Sequence, residues 1–179
     1  MVELLRENDP HLAIVPYNDE NSKIFERLKQ YLCEVIPYEI EVEHIGSTSV
    51  PGLGGRNIID VLILIEKGLM SRVVSLLESK GFRYNPSASN PYEKLFLSGQ
   101  YKYESNKEKH VHIHVTYPGS IEHREKVLFR DYLERNPKEA KKYYEFKKKC
   151  MREANSNPSK YRKLKDSYIK AILERARKS

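Results

Sequence analysis

The run NIIDVLILIE at residues 57–66 limits the possible folds more sharply than any other stretch of the chain. Its apolar residues occupy both odd and even positions, which predicts a strand inside a sheet whose two faces are both covered. The run is too short to span a bilayer, and it contains one acid, Asp60. A buried carboxylate is costly unless it is paired, hydrogen-bonded or bound to a cation. The sequence therefore predicts a layered protein with a single acid in the central strand of its sheet.

The spacing of apolar residues predicts the elements around this run. One helix is expected up to about Val35, where Pro37 ends it, and another in GLMSRVVSLLESKG. FRYNPSASNPY is expected to be a loop, and three helices are expected after Pro118. Further strands are expected in IEVEHIG, EKLFLSG and HVHIHVTY, the last two joined as a long hairpin by the polar connection QYKYESNKEK. The predicted class is α+β, with a small mixed sheet, helices packed on it and a helical C-terminal half.

Positive charge is concentrated in one part of the chain. Residues 1–118, the expected α/β core, hold 13 Lys and Arg against 16 Asp and Glu, a net of −3. Residues 119–179, a basic helical region expected to pack on that core as one structural unit, hold 19 against 9, a net of +10. The excess can attract a phosphate-rich partner, nucleic acid included, but no nucleic-acid motif accompanies it. Solvated helix faces with paired Glu and Lys are the simpler explanation.

Signals for targeting favour a cytoplasmic protein. The N-terminal MVELLRENDP lacks a basic segment followed by an apolar one, so no secretory signal is predicted. Cys33 and Cys150 have no metal-ligand spacing and are expected to be reduced thiols. No membrane partner is expected.

The loop GSTSVPGLGG at residues 46–55 has the composition of a phosphate-binding loop, with four glycines, one proline and three hydroxyl residues. Glycine lets backbone N–H groups approach an anion, and hydroxyl groups and amides hold phosphate oxygens. The loop is neither a P-loop nor a dinucleotide-binding motif, and G-S-T-S is not the elbow of a serine hydrolase. A plain connecting loop explains the glycines equally well.

Asp60 stands on the strand that follows this loop, so its carboxylate and the loop hydroxyls can converge on one phosphate and its cation. The alternative is that Asp60 caps loop amides or pairs with Arg56. His44, on the strand before the loop, either orients the loop or Asp60, or is a buried structural histidine.

Several segments together resemble the GrpB family: HIGSTSVPGL with NIIDVLI, the strand HVHIHVTYPGS, and FRDYLERNP followed by YYEFK and later Y, K and YI. Within them, Gly46-Ser47 followed, after about a dozen residues, by an Asp on an apolar strand resembles the signature of the nucleotidyltransferase superfamily. The resemblance runs from about residue 13 to the end of the chain. It implies a nucleotidyltransferase-like fold.

The acids that this resemblance leads one to expect are incomplete. Superfamily members that transfer nucleotides hold two Mg²⁺ ions with Asp-x-Asp/Glu on this strand and a third acid on a neighbouring strand. Residues i and i+2 of a strand share a face, so the partner of Asp60 falls at position 62, which is Leu62. Leucine cannot bind a metal ion.

Histidines occupy the strand where the third acid is expected. His110, His112 and His114 alternate with Val111 and Ile113 and therefore share one face. Two histidines at i and i+2 can bind one Zn²⁺ with Asp60 as a third ligand, which leaves an open position. The alternative is that the histidines flank a cleft and hydrogen-bond to Asp60 or to a bound ligand.

The C-terminal helices contribute the remaining candidates. Arg130 can reach a phosphate or form a salt bridge. Lys147, Tyr161 and Lys165 match the helical pattern of the family and can line a nucleotide cleft, because an aromatic ring stacks on a base and an ammonium group holds phosphate. The alternative is that the tyrosines pack helix on sheet and the lysines point outward.

The favoured hypothesis is a protein that binds a nucleotide or phosphorylated small molecule, with residual nucleotidyl transfer at most. The alternative is a non-enzymatic nucleotide sensor or a protein-interaction module with a degenerate active site. Asp60, His112 and His114 are the predicted catalytic residues and the predicted ligands of a divalent metal, Mg²⁺ or Zn²⁺. The predicted substrate contacts are Gly46, Ser47, Thr48, Ser49, Arg130, Lys147, Tyr161 and Lys165.

Overall fold

The computed structural model describes residues 13–155 and 157–179, which form a mixed α+β structure as predicted. Short 3₁₀ turns lie at Ser47–Ser49, Lys67–Leu69 and Pro86–Ala88. The strands are β1 (Glu41–Ile45), β2 (Ile59–Leu64), β3 (Arg83–Tyr84), β4 (Leu95–Glu104) and β5 (Lys107–Thr116). The helices are α1 (Glu20–Val35), α2 (Met70–Ser79), α3 (Ile121–Arg135), α4 (Pro137–Ala154) and α5 (Pro158–Lys178).

The strands form one mixed sheet in the order β1-β2-β5-β4-β3. β2 lies between antiparallel β1 and parallel β5, so the prediction of an interior strand is confirmed. β4 and β5 form a long antiparallel hairpin, also as predicted. β3 differs from the prediction, because Arg83 and Tyr84 pair with β4 in a segment expected to be a loop. Two residues are too few to show the alternation of a strand, so this strand can be recognised only from its pairing with β4.

The two faces of the sheet pack against different layers. On one face, alternate residues of β2 and β5 form the main apolar core with α1 and α2; Leu28, Leu77, Val61 and Ile113 are examples. On the other face of β2, Leu62 and Leu64 pack with Ile45 of β1 and Val127 of α3. The alternation of side chains along a strand places Asp60 on this second face, with Leu62.

The C-terminal helices hold the glycine-rich loop beside the start of β2. Val50 and Leu53 of the loop are buried in one cluster with Leu133 of α3, Tyr143 of α4 and Ile172 of α5. This packing places the loop between the sheet and the helices. Among the residues described, no helix has both the length and the apolar character needed to cross a membrane.

Candidate functional site

A cavity of about 630 Å³ lies between the second face of the sheet, the glycine-rich loop and the three C-terminal helices. The loop, β2 and β5 contribute predicted site residues to its wall, and so do α4 and α5. The predicted site residues that border it are Gly46, Ser47, Thr48, Asp60, His112, His114, Lys147, Tyr161 and Lys165. Residues separated by more than 100 positions in the sequence therefore meet at one concave site.

Asp60 packs directly against the start of the loop. Gly46 has φ 74° and ψ −168°, a region open almost only to glycine. A Cβ added to Gly46 would lie 2.9 Å from Asp60 Cγ and would collide with Oδ2. The predicted convergence of the loop and the strand acid is therefore present, and it depends on the absence of a side chain at residue 46.

The carboxylate of Asp60 is paired with His112, whose Nδ1 lies 3.1 Å from Asp60 Oδ1. Burial alone would raise the pKa of Asp60, but the hydrogen bond and charge of His112, with the charges of His114 and Arg56, hold this pKa well below its usual value. Because an ionised carboxylate only accepts, Nδ1 of His112 must carry the proton. Of the alternatives for Asp60, the structure thus shows pairing with a histidine of β5.

His114 is turned toward a different partner. Its Nδ1 lies 2.9 Å from Glu122 Oε1, at the start of α3, and Lys94 Nζ lies 3.3 Å from the same oxygen. Burial lowers the pKa of His114, and the hydrogen bond to Glu122 offsets part of this effect. Burial would raise the pKa of Glu122, but His114, Lys126 and Lys94 together lower it to about 2. His114 therefore belongs to an ion-pair cluster beside the Asp60–His112 pair.

The residues predicted to bind a metal ion are not arranged around a common point. Asp60 is paired with His112, whereas His114 is paired with Glu122. The position of the second acid is filled by Leu62, which is fully buried and packs on Val127. Within residues 13–155 and 157–179, no group of three or more His, Cys, Asp or Glu side chains is placed to hold a metal ion. This donor set does not fit a two-metal nucleotidyltransferase site.

Lys147 links α4 to the glycine-rich loop by hydrogen bonds. Its side chain is only 1% exposed, and Nζ donates to Ser47 Oγ over 2.8 Å and to the carbonyl oxygen of Gly54. Burial and the nearby charges of Lys165 and Arg56 lower its pKa well below the usual value. Lys147 thus positions the hydroxyl of Ser47 at the cavity wall.

Two of the three loop hydroxyls hold the loop in shape. Thr48 Oγ1 donates to the carbonyl oxygen of Ile58 over 3.1 Å and lies 3.0 Å from His44 Nε2. Ser49 Oγ donates to the Gly46 carbonyl oxygen over 2.7 Å and does not border the cavity. Burial lowers the pKa of His44 to about 4, so this histidine is neutral and donates to Thr48. Thr48 and Ser49 were predicted to contact phosphate, but their hydroxyls are engaged within the loop, and His44 orients that loop.

A second group of side chains brings positive charge to the cavity from α5. Lys165 Nζ lies 4.2 Å from the centroid of the Tyr161 ring, and the guanidinium carbon of Arg56 lies 5.7 Å from it. Burial, followed by the charge of Arg56, lowers the pKa of Lys165 to about 8. Tyr161 is buried, and its ring is within cation–π distance of both side chains.

Sequence reasoning missed several residues of the cavity wall. Arg56 was considered only as a partner of Asp60, although its position in the loop next to the acid was a usable signal. Arg162, Lys126 and Glu122 also border the cavity. No spacing rule identifies these helical residues, because the side of a helix that faces a cavity depends on how the helix crosses the sheet.

Arg130 corrects the sequence prediction, because it does not border the cavity. Its guanidinium donates to Glu43 Oε2 over 2.7 Å, to Asp131 Oδ1 over 2.8 Å and to the carbonyl oxygen of His44 over 3.0 Å. The side of α3 that carries Arg130 faces the edge strand β1. Arg130 is therefore a structural link between α3 and β1, not a phosphate contact.

Replacing Arg130 by Met is expected to lower the free energy of unfolding by about 1–2 kcal/mol, because Glu43 and the His44 carbonyl lose their donors. Ligand binding should be unchanged. Urea denaturation and calorimetric titration measure the two effects. The control is Arg135→Met, whose exposed side chain lies 3.8 Å from Asp131 and should matter by less than about 0.5 kcal/mol. If the Arg130→Met variant were as stable as the wild type but bound the ligand more weakly, Arg130 would be a ligand contact and not a structural link.

The α+β fold places a Gly-Ser loop against one acid of the next strand at the wall of a cavity. Residues 11–175 match the family model described as GrpB protein, and the chain belongs to this family. The prediction of the family from the sequence resemblance is thus confirmed.

Similar proteins extend along most of the chain. UPF0157 protein YqkA of Bacillus subtilis is 31% identical over 171 residues, which are 93% of this chain and 48% of YqkA. A UPF0157 protein of Pseudomonas aeruginosa is 34% identical over 136 residues, 75% of this chain and 54% of the relative. The chain thus spans about half the length of these two curated relatives. The crystal structure of GrpB from Enterococcus faecalis has a TM-score of 0.78 at 28% identity, covering 92% of this chain and 96% of that one.

Proposed function

We propose that this protein binds a nucleotide or another phosphorylated small molecule in the cavity beside Asp60. The supporting observation is that the hydroxyl of Ser47 and several cationic side chains meet at one cavity of about 630 Å³. That volume is typical of small-molecule sites, which range from about 300 to 1,000 Å³. The phosphate groups would lie against the loop, and the cytoplasm is the proposed location.

Charge at the cavity wall favours an anionic ligand. Six basic side chains face four carboxylates: Arg56, Lys94, Lys126, Lys147, Arg162 and Lys165 against Asp60, Glu122, Glu125 and Asp166. Lys94 and Lys126 lie within ion-pair distance of Glu122. Arg56, Arg162 and Lys165 have no ion-pair partner in the part of the chain that the structure describes. Arg56 and Lys165 are half-buried, and cations partly removed from water without a carboxylate partner are stabilised by a bound anion.

Binding is better supported than ordinary metal-dependent transfer. Two Mg²⁺ ions need several carboxylates on neighbouring strands, whereas β2 presents one acid, Asp60, with Leu62 at the next position on the same face. The other carboxylates of the wall lie on α3 and α5. The rival hypothesis, a protein-interaction module, predicts no small-molecule ligand. These two hypotheses differ in a result that a binding assay measures directly.

Thermal denaturation with each nucleoside triphosphate, with pyrophosphate and with uncharged adenosine tests the proposal. A nucleotide at about 100 times its Kd should raise the melting temperature by about 5–10 °C, and adenosine should not. Arg56→Met should weaken nucleotide binding at least about tenfold, because a cation at the anion is lost. Arg135→Met, which removes an exposed cation away from the cavity, should bind as the wild type does. No shift with any phosphate compound would overturn the proposal and favour the protein-interaction module.

Nucleotide affinity should fall as the pH rises through about 8, because free Lys165 loses its proton there. A bound phosphate favours charged Lys165, so affinity is greatest below pH 7 and falls by up to about tenfold per pH unit above 8. Arg56, Asp60, Lys126 and Cys150 are the charged or titratable groups that influence Lys165. Lys165→Arg should flatten this profile, since arginine stays charged. Titration calorimetry from pH 6.5 to 9.5 makes the comparison, and equal slopes in both proteins would contradict the assignment.

A further inference from the structure

We infer that His112 is a nucleophile whose Nε2 takes a nucleotidyl group from a nucleoside triphosphate, forming a covalent nucleotidyl-histidine and releasing pyrophosphate. The inference rests on the proposed nucleotide site and assigns a reaction to it. The carrying observation is the Asp60–His112 pair at the cavity wall, close to the loop that holds Ser47.

The pair prepares one ring nitrogen for attack. Nδ1 of His112 carries the proton and donates a hydrogen bond to Asp60. In the neutral ring the lone pair therefore resides on Nε2. Within the described part of the chain, the structure records no hydrogen-bond partner for Nε2 of His112. The ring is fixed by Asp60 and by an edge contact with Phe96 at 5.1 Å. A nucleophile oriented by a second group through a hydrogen bond is the general arrangement of covalent catalysis.

Two nearby histidines are less suited to attack. His114 also gives Nδ1 to a carboxylate, Glu122, and borders the cavity, but its side chain is only 9% exposed, against 17% for His112. His44 is bonded through Nε2 to Thr48 and stacks on Phe25 at 4.4 Å. His112 differs from both, because its carboxylate partner, Asp60, packs against Gly46 of the loop.

The shortage of metal-binding carboxylates favours attack by His112 over attack by a metal-activated hydroxyl group. A metal-activated acceptor hydroxyl needs the carboxylates that Leu62 and His112 have replaced. A neutral imidazole nitrogen has no proton to lose before it attacks phosphorus, so this step needs no such carboxylates. Asp60 then stabilises the positive charge that develops on the ring.

The atoms of the step balance. The Nε2 lone pair forms a bond to the α-phosphorus, the bond from that phosphorus to the bridging oxygen breaks, and pyrophosphate leaves with its electrons. Arg56 and Lys165 are placed to neutralise the pyrophosphate. The proton stays on Nδ1 beside Asp60. Later the oxygen of a hydroxyl group or of water attacks the same phosphorus, and the phosphorus–nitrogen bond breaks. Its electron pair returns to Nε2, which regenerates the neutral imidazole, and the proton of the attacking oxygen passes to water.

The experiment incubates the full chain with magnesium and each nucleoside triphosphate labelled with ³²P at the α-position, followed by denaturing electrophoresis under alkaline conditions. We expect a label that survives alkali and is released by acid, as a phosphorus–nitrogen bond requires. The same triphosphates labelled at the γ-position should leave no label. His112→Asn should abolish labelling, whereas His123→Asn, a surface histidine of α3 outside the cavity, should label as the wild type does.

Asp60→Asn tests the positioning role separately from folding. Removal of one negative charge should leave nucleotide affinity equal or higher, yet labelling should slow by about 10²-fold, because Asp60 no longer stabilises the charged ring. A variant that had lost its structure would show weaker nucleotide binding as well as slower labelling. Thermal shifts are measured on every variant in parallel.

Three results would overturn the inference: an acid-stable label, a γ-phosphate label, or full labelling of His112→Asn. Nucleotide binding by the wild type without any label would overturn the inference and leave the proposed function standing. Absence of binding and of label together would overturn both.

Discussion

Replacement of Leu62 by Asp is expected to unfold the protein, not to restore a second metal-binding acid. Leu62 is fully buried against Ile45, Leu64 and Val127. The change removes these apolar contacts and buries a carboxylate among apolar side chains, and together these effects cost about 5 kcal/mol or more. Domains of this size are stable by only about 5–15 kcal/mol.

Urea denaturation of Leu62→Asp beside Leu62→Met measures this effect. Met keeps the volume and the apolar character, so its cost should stay below about 1.5 kcal/mol. A folded Leu62→Asp protein with near wild-type stability that gains metal-dependent transfer would contradict the prediction. It would also show that this site is one substitution from an ordinary two-metal centre.

Gly46→Ala is the second substitution with a large expected effect, and it acts on the site directly. The backbone conformation of Gly46 costs any other residue about 1–3 kcal/mol. The added methyl group also collides with Asp60, so the carboxylate must move away from His112. We expect a loss of about 2–4 kcal/mol in the free energy of unfolding and a loss of nucleotidyl labelling at His112.

The control for Gly46→Ala is Gly52→Ala in the same loop. Gly52 also has a positive φ, 77°, but a Cβ there meets no atom within 4 Å. This variant carries backbone strain without displacing Asp60, so labelling should remain. Equal loss of labelling in both variants would assign the effect to the loop backbone and not to the contact with Asp60.

The sequence predicted the fold well because the main signals are local. The apolar residues on either side of Asp60 occupy both faces of the strand, so both faces must be buried. The structure places this strand in the sheet interior. The alternation of β5 separates histidines from Val111 and Ile113 without reference to other elements. The two-residue strand β3 was missed, because its pairing is decided by β4. Residues 100–104 and 107–109, predicted to be a polar connection, instead extend β4 and β5.

The site was predicted less completely, because its pairings connect distant segments. The approach of the loop to Asp60 followed from their adjacency. The partner of His114 did not, since Glu122 reaches it from α3. Arg130 was predicted to contact phosphate. The sequence does not show which strand α3 packs against, and therefore it did not reveal the pairing of Arg130 with β1. Lys147 was expected at the cavity, but a lysine with 1% exposure bonded to Ser47 was not foreseen.

Sequence alone determined the layered α+β class, the family, the single acid of the interior strand β2 and the common face of the histidines. These features depend on residue type and on the period of a strand, which act over a few neighbouring positions. Tertiary structure alone decided which histidine pairs with Asp60, which cations face the cavity and which hydroxyls are engaged within the loop. Those outcomes depend on how three helices cross the sheet, because hydrogen bonds and ion pairs form only between groups that packing has brought within about 3–4 Å.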